Sequence, residues 1–421
     1  MIQTFTLSPG VTLRCYNDTR FKQGRLSLQL VRPMCREEAA MNALLPTVLL
    51  RGTAKHPDLR SITMHLDDLY GATVGDLVRR IGDYQTTGFY CGFTEDRFAL
   101  NGDRILAPMV DFLKEILLQP LTEDGIFCRE IVIGERRNLI CDIEAQKNDK
   151  AAYAATQLLK QMCRADSFSI PRLGDKEQAA HITPESLYAH YRRILRESPV
   201  EIFYVGSAGP DEVVELLKPL FNGLDRNYVN LPEQTPFLDL GQAHGQEEMD
   251  ITQSHLCMGF VTDVTNQSED FAAMQVFNAV FGAGMTSKLF INVREKLSLC
   301  YSIGSGYYGS KGIITVSAGI DADKENIVRS EILRQLEICQ AGGISDAELT
   351  AAKEAVLSGL RSVVDSPSTI EGYFSTAALS GLGMVLPEYC RAVERVTVRD
   401  AAAAAGRVSP HSEFFLKGAA K

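Results

Sequence analysis

The order of elements along this chain is written twice, and few folds can accommodate that. Residues 25–31 (RLSLQLV) alternate apolar and polar as a half-buried strand does, and residues 254–261 (SHLCMGFV) answer them as a second strand. An apolar helical stretch follows each, at 37–50 and at 270–281. A shorter helix comes next, at 61–69 and again at 287–297. Two strands within 73–93, joined through Gly82 and Asp83, are matched by strands at 300–308 and 312–319. Amphipathic helices follow at 103–118 and 323–339, and Ser345 with Glu348 reads as a capping box for the next one. Near the two ends, Ser198-Pro199 and Ser409-Pro410 each open a closing strand, preceded by a helix that begins at Thr183 or Thr397. The order β-α-α-β-β-α-α-α-β therefore occurs twice at a spacing of roughly 215 residues, too long for a solenoid and suited to a duplicated domain. Helices running between antiparallel strands make each copy α+β, an antiparallel sheet covered on one side by helices.

Between the copies every period breaks. Pro232, Pro236, Gly223, Gly241 and Gly245 fall in a stretch with no core face, which reads as a linker. The expected division is an N-terminal domain over 1–222, a linker over 223–247 and a C-terminal domain over 248–421. A length of 421 residues suits two such cores.

Charge and cysteine usage narrow the classes. The formal net charge is −10 and no basic stripe offsets it, which argues against a nucleic-acid surface. No apolar run approaches a membrane span. The first residues, MIQTFTLSPGVTLRCYND, lack the basic and apolar regions of a signal peptide, so a cytoplasmic location is expected. Ten cysteines occur with no C-x-x-C and no zinc-finger spacing; reduced, mostly buried thiols are expected.

The stretch richest in chemistry is residues 282–308, GAGMTSKLFINVREKLSLCYSIGSGYY. Gly282 and Gly284 break the preceding apolar run, and Thr286 or Ser287 can cap the helix that follows. Leu289, Val293 and Leu297 recur at helical spacing, with Phe290 widening the stripe. Arg294 then sits on that helix, and Tyr301 lies seven residues on at the start of a strand. A fixed guanidinium beside a phenol is what a site needs to grip a peptide carbonyl as it becomes an oxyanion; a solvated polar face is the other reading. Gly304 and Gly306 would let a peptide strand lie close to the sheet edge, or would mark a bulge. A phosphate loop is not supported, since no Walker lysine follows the glycines.

GAGMTSKLFINVREKLSLCYSI resembles the C-terminal-domain signature of the pitrilysin/insulinase family of zinc peptidases, roughly GGGMSSRLFxxVREKxGLxYSV. The resemblance includes the Arg-x6-Tyr pair and, through the duplication, extends over nearly the whole chain. It implies two homologous α+β domains. Two such pairs face each other as a clam-shell around a closed chamber, with zinc in one half and the Arg/Tyr pair reaching over from the other. Single-unit members build the chamber from two chains.

The zinc signature is where this sequence departs. Active members carry H-x-x-E-H shortly before Lys-Gly-Thr or Arg-Gly-Thr: two histidines on one helical face as ligands, a glutamate as base. Aligned on Arg51-Gly52-Thr53, those places hold Ala43, Pro46 and Thr47, and the further carboxylate falls near Asp142. Pro46 also predicts a kinked or restarted helix. None of the seven histidines pairs with another at helical spacing; His65 with Asp67 and Asp68 reads as a charged outer face. No metal or other cofactor is expected in this chain, with zinc held by a partner.

The resemblance thus implies a zinc-free subunit of a two-chain peptidase acting on short unfolded peptides. Arg294 and Tyr301 would hold the substrate carbonyl or backbone over zinc in a homologous partner, as a heterodimer, with a homodimer as the other assembly. The alternatives are a structural member, like the non-catalytic core subunits of respiratory complexes, and a peptide-binding or chaperone-like protein.

Overall fold

The computed structural model describes residues 2–418. Its first half runs β1 (Ile2–Ser8), β2 (Val11–Asn17), β3 (Gln23–Pro33), α1 (Arg36–Leu49), α2 (Leu59–Asp68), β4 (Thr73–Ile81), β5 (Tyr84–Thr94) and α3 (Leu106–Leu118). A small ribbon of β6 (Thr122–Glu123) and β7 (Ile126–Phe127) precedes α4 (Arg129–Ala145), α5 (Lys150–Met162), α6 (Lys176–Ala180), α7 (Pro184–Glu197), β8 (Val200–Gly206) and α8 (Pro210–Leu217). The second half runs β9 (His244–Met249), β10 (Ser254–Val261), α9 (Phe271–Phe281), a π-helix (Leu289–Lys296), β11 (Ser302–Tyr308), β12 (Ile313–Ile320) and α10 (Glu325–Gln340). It closes with α11 (Asp346–Ser362), α12 (Pro367–Ser380), α13 (Leu386–Arg395), α14 (Val398–Gly406) and β13 (Ser409–Gly418). Among the described residues no helix is long and apolar enough to cross a membrane.

The duplication is exact at the level of strand order. One sheet reads β1-β2-β8-β3-β5-β4 and the other β9-β13-β10-β12-β11, so from β2 onward the two match place for place. Pairing is antiparallel throughout except for one pair in each sheet. The strand just ahead of the first long one in each half, β2 or β9, lies parallel to the half's last strand, β8 or β13. A parallel pair needs a long connection, and here almost the whole half supplies it. The helices ahead of the closing strands start alike, with Thr183 and Thr397 each in a capping box. Ser345 and Glu348 form the expected box ahead of α11. Strand β9 begins at His244, inside the stretch expected as linker.

The compact units are not contiguous in sequence. One takes residues up to Glu144, Ile170–Glu233 and Val363–Leu379; the other takes Ala145–Ser169, Gln234–Ser362 and the chain from Ser380 onward. Each sheet therefore carries its own half's helices on one face and a single helix of the opposite half on the other. Strand periodicity shows this directly. Leu26, Leu28 and Leu30 of β3 face the core with α1 and α3, while Ser27 and Gln29 face α12. There the buried Glu371 accepts from Ser27 Oγ at 2.9 Å and Gln29 Nε2 at 3.2 Å. Arg79 closes on Glu371 with two bonds of 2.9 and 2.7 Å, the bidentate geometry that suits a buried carboxylate. In the other unit α5 covers the sheet by apolar contact: Ala154 and Leu158 pack with Cys257, Phe414 and Leu416, and Met162 packs with Ile313. Gly259 allows this approach, since a Cβ there would stand 2.6 Å from Met162 Sδ. Truncating Leu158 to alanine would cost about 2–5 kcal/mol.

Helix α1 corrects one expectation. Pro46 does not restart it; one helix runs unbroken from Arg36 to Leu49. Proline leaves the carbonyl four residues back without its helical donor. That carbonyl belongs to Asn42, and the Thr87 hydroxyl of β5 donates to it at 2.6 Å. A side chain from the sheet thus replaces the missing bond.

Candidate functional site

Ser287 begins the segment that carries Arg294. Its hydroxyl accepts the Phe290 N–H at 3.3 Å and donates to the Gly284 carbonyl at 2.7 Å, so of the two expected caps it is the one that acts. Gly284, at φ +124°, makes the turn that a side chain would resist. Leu289 and Val293 are fully buried, yet Leu297 is 49% exposed. The reason is the π-helix: Leu297 N–H bonds the Asn292 carbonyl five residues back at 3.2 Å. Each residue then turns through a smaller angle than in an α-helix, and the third member of the stripe falls outside it. Two side-chain ties hold the segment, Lys288 to Glu348 of α11 at 2.7 Å and Asn292 to Gln335 of α10 at 3.0 Å. Ser298, at φ +49°, ends it in a conformation non-glycine residues seldom adopt.

Arg294 and Tyr301 meet here, but not side chain to side chain. Arg294 Nε donates to the Tyr301 backbone carbonyl at 2.9 Å and Nη1 to Glu295 at 2.8 Å, while the guanidinium lies over the Phe290 ring at 4.7 Å. Neither bond uses Nη2. The Tyr301 backbone N–H bonds the Gly319 carbonyl of β12 at 2.8 Å. Its phenol is 61% exposed and donates to Asp321 Oδ1 at 2.9 Å. Lys324 holds the other oxygen of Asp321 at 2.9 Å. The bond from Lys324 and then that from Tyr301 hold Asp321 below the usual carboxylate range, and the same carboxylate raises the phenol of Tyr301. Arg294, Cys300, Tyr301 and Lys324 line one open pocket of about 350 Å³. Burial pushes the Cys300 thiol up to about 11, so it is no nucleophile at neutral pH.

Strand β11 is an edge of its sheet. Its pairing with β12 runs from Ser302 to Tyr308 without a register shift, so Gly304 and Gly306 mark no bulge. A Cβ at either would have no neighbour nearer than 3.7 Å, and the fold does not demand glycine there. The Ser305 N–H is occupied by the Gly282 carbonyl at 3.0 Å.

The positions corresponding to the zinc signature lie in the other unit. Ala43 and Pro46 are buried, and the Thr47 hydroxyl donates to the Leu44 carbonyl of its own helix at 2.8 Å. Asp142 is exposed on α4. An alkyl group, an imino acid and a hydroxyl turned back on its helix do not fit a zinc ion. Among the described residues no group of three or more His, Cys, Asp or Glu side chains is placed to hold a metal. His65 is not on an outer face: its ring packs 4.8 Å from Phe112 and 4.7 Å from His56, because α2 turns that side toward α3.

A buried polar network surrounds this part of α1. Arg193 donates to His190 Nδ1 at 2.9 Å, which leaves the ring proton on Nε2 to reach Asn42 Oδ1 at 2.7 Å. Asn42 Nδ2 donates to Gln85 at 2.8 Å, and Gln85 Nε2 donates to the carbonyls of Ala39 and Arg172 at 3.0 and 2.8 Å. Burial lowers His190 to about 4; Glu38 opposes this in part, and Arg193 and Arg32 add to it. Sequence reasoning missed Asn42, Gln85 and His190, although a lone asparagine inside EEAAMNALLPTVLL was a signal. It also missed Asp321 and Lys324, a carboxylate and an amine three residues apart just past a strand.

A half-buried guanidinium and an exposed phenol around a pocket in one copy, with a helix that carries no metal-binding side chains in the other, resemble a metallopeptidase unit without its metal ligands. Comparison with known proteins agrees. Residues 181–356 match the family model of the peptidase M16 inactive domain. The probable inactive metalloprotease YmfF of Bacillus subtilis is 26% identical over 409 residues, spanning 97% of this chain and 96% of its own. A conserved protein from Enterococcus faecalis V583 superposes with a TM-score of 0.92 at 27% identity, covering 100% of this chain and 99% of its own. The peptidase M16 inactive domain from Pseudomonas fluorescens superposes at 0.81 with 18% identity, over 100% of this chain and 98% of its own, a likeness of fold. The chain is therefore similar to the inactive domain of peptidase M16 over residues 181–356 and lacks the zinc motif of that family's active members.

Proposed function

We propose that this chain is the zinc-free subunit of a two-chain cytoplasmic peptidase that degrades short unfolded peptides in a closed chamber. Its contribution is Arg294 and Tyr301, which hold the substrate carbonyl or backbone against a homologous subunit that carries the zinc. The observation supporting this is that the pair remains solvent-facing around one pocket while positions 43, 46 and 47 carry nothing that binds metal. Arg294 keeps the two N–H groups of Nη2 for an oxygen acceptor, and its backbone anchor at Tyr301 fixes where they lie. Oxyanion stabilisation of this kind needs donors already in place before charge develops.

The test mixes the purified chain with a zinc-bearing relative from the same cell and follows cleavage of a quenched fluorescent peptide. Neither the chain alone nor its Arg294→Ala or Tyr301→Phe variant should cleave. In the mixture each variant should lower kcat/KM about a hundred- to a thousandfold without dissociating the complex. Full-rate cleavage by both variants would remove the pair from the reaction.

A second reading has its own observation. Arg294 and Tyr301 both have partners within the chain, Glu295 and Asp321, as residues of a purely structural or peptide-holding member would. Association with a partner at undiminished affinity, with no gain in peptide cleavage, is the outcome that selects it.

A further inference from the structure

We propose that Asp321 is a positioning residue that parks the Tyr301 phenol and competes with the bound peptide for its hydrogen, with Lys324 steadying the carboxylate when the phenol leaves. This rests on the peptide-holding reading of Arg294 and Tyr301 and adds the step by which the pair becomes available. Asp321 follows directly on β12, and the bond from the Tyr301 backbone N–H to Gly319 brings the phenol to the end of that strand. Strand pairing thus places the two residues within reach of each other. A phenol has one hydrogen to donate, and here it goes to Asp321 at 2.9 Å. An ionised carboxylate has no hydrogen, so it can only accept. A peptide carbonyl must therefore take the phenol away from Asp321, whereas Arg294 can bind through Nη2 with its existing bonds intact. The two groups are unequal: one stands ready and the other must change partners. Lys324 lines the same pocket and already bonds the second oxygen of Asp321, so the vacated carboxylate keeps a cation beside it.

The test is a double-mutant cycle in the complex with the zinc-bearing relative, using the same quenched peptide. Asp321→Asn keeps the shape and weakens the acceptor. It should lower KM about three- to tenfold, with the gain carried by KM because the competing bond is lost before the chemical step. In a Tyr301→Phe background the same substitution should make no further difference. A raised KM, or an equal effect with and without the phenol, overturns the proposal while leaving the role of the pair standing. If Tyr301→Phe alone changes neither kcat nor KM, the peptide-holding reading fails and the competition fails with it. Ultraviolet titration of the chain gives a readout independent of activity. The phenol that vanishes in Tyr301→Phe should ionise at lower pH in Asp321→Asn, and an unmoved ionisation means that Asp321 does not hold it.

Discussion

The helix that follows the first long strand of each half has met a different end. In the first half α1 is closed in: Ala43 and Pro46 are buried, and Asn42 is locked between Gln85 and His190. In the second half α9 ends at Gly282 ahead of the π-helix, which buries Leu289 and Val293 while Leu297 and Tyr301 stay in solvent. The strand order around both is the same, so the sheet does not decide which becomes a site. What decides is how the polar groups next to the helix are satisfied. In the closed half they bond one another and leave nothing for a ligand. In the open half the bonds to Glu295 and Asp321 lie at the surface, where they can be exchanged.

The comparison can be broken from either side. Substitutions in the closed half should cost stability and spare peptide handling; those in the open half should do the reverse. The largest effect is expected from Asn42→Ala, which leaves His190 Nε2 and Gln85 Oε1 without the partners they have in this buried site. About 3 kcal/mol should be lost in urea unfolding followed by circular dichroism, the chain having no tryptophan. Unchanged stability would mean that the network does not close α1.

Acid should open the same half. The pKa of His190 in the folded state is held near 4, below its unfolded value, so the unfolded chain takes up the proton first as pH falls. Above about pH 6.5 the group is neutral in both states and contributes nothing. Between 6.5 and 4 stability should decline, by about 2 kcal/mol at pH 5. His190→Gln should flatten that part of the profile, and an equally steep decline in the variant assigns it elsewhere.

A smaller effect tests the uninterrupted α1. Thr87→Val removes the donor that serves the Asn42 carbonyl and should cost about 1–2 kcal/mol. In a Pro46→Ala background the restored backbone N–H can serve that carbonyl, and the cost should shrink toward zero. Additive losses would show that Thr87 acts through another contact. Smallest of all should be the stability change from Gly306→Val, within about 0.5 kcal/mol, because a Cβ there meets only Thr315 Oγ1, at an ordinary 3.7 Å. Weaker peptide binding by that variant would mark the edge of β11 as part of the open site; unchanged binding would remove it.

How legible each half was depended on the sequence distance of the contacts. The duplicated order could be read because strand alternation and helix periodicity are local. The π-helix could not, since Leu289, Val293 and Leu297 fit an ordinary helix equally well and only burial tells them apart. The carbonyl that Pro46 leaves open in α1 is served by a hydroxyl at position 87, and Tyr301 finds its acceptor twenty residues on. The resemblance to the family signature singled out Arg294 and Tyr301, which the structure joins through the Tyr301 backbone carbonyl. Their local partners were not legible, because an aspartate after a strand looks like any turn residue. The destination of α5 and α12 was the least legible. Nothing in the residues of either helix says which sheet it covers, and α12 does so through Glu371 and Ser375.

That destination has a consequence for how this polypeptide tolerates being divided. A single nick in the irregular stretch between the copies would separate two fragments, each missing the helix that shields one side of its sheet and each trailing an orphan meant for the other. Neither piece would be a free-standing module. Recombination at that junction would leave each sheet with one face uncovered.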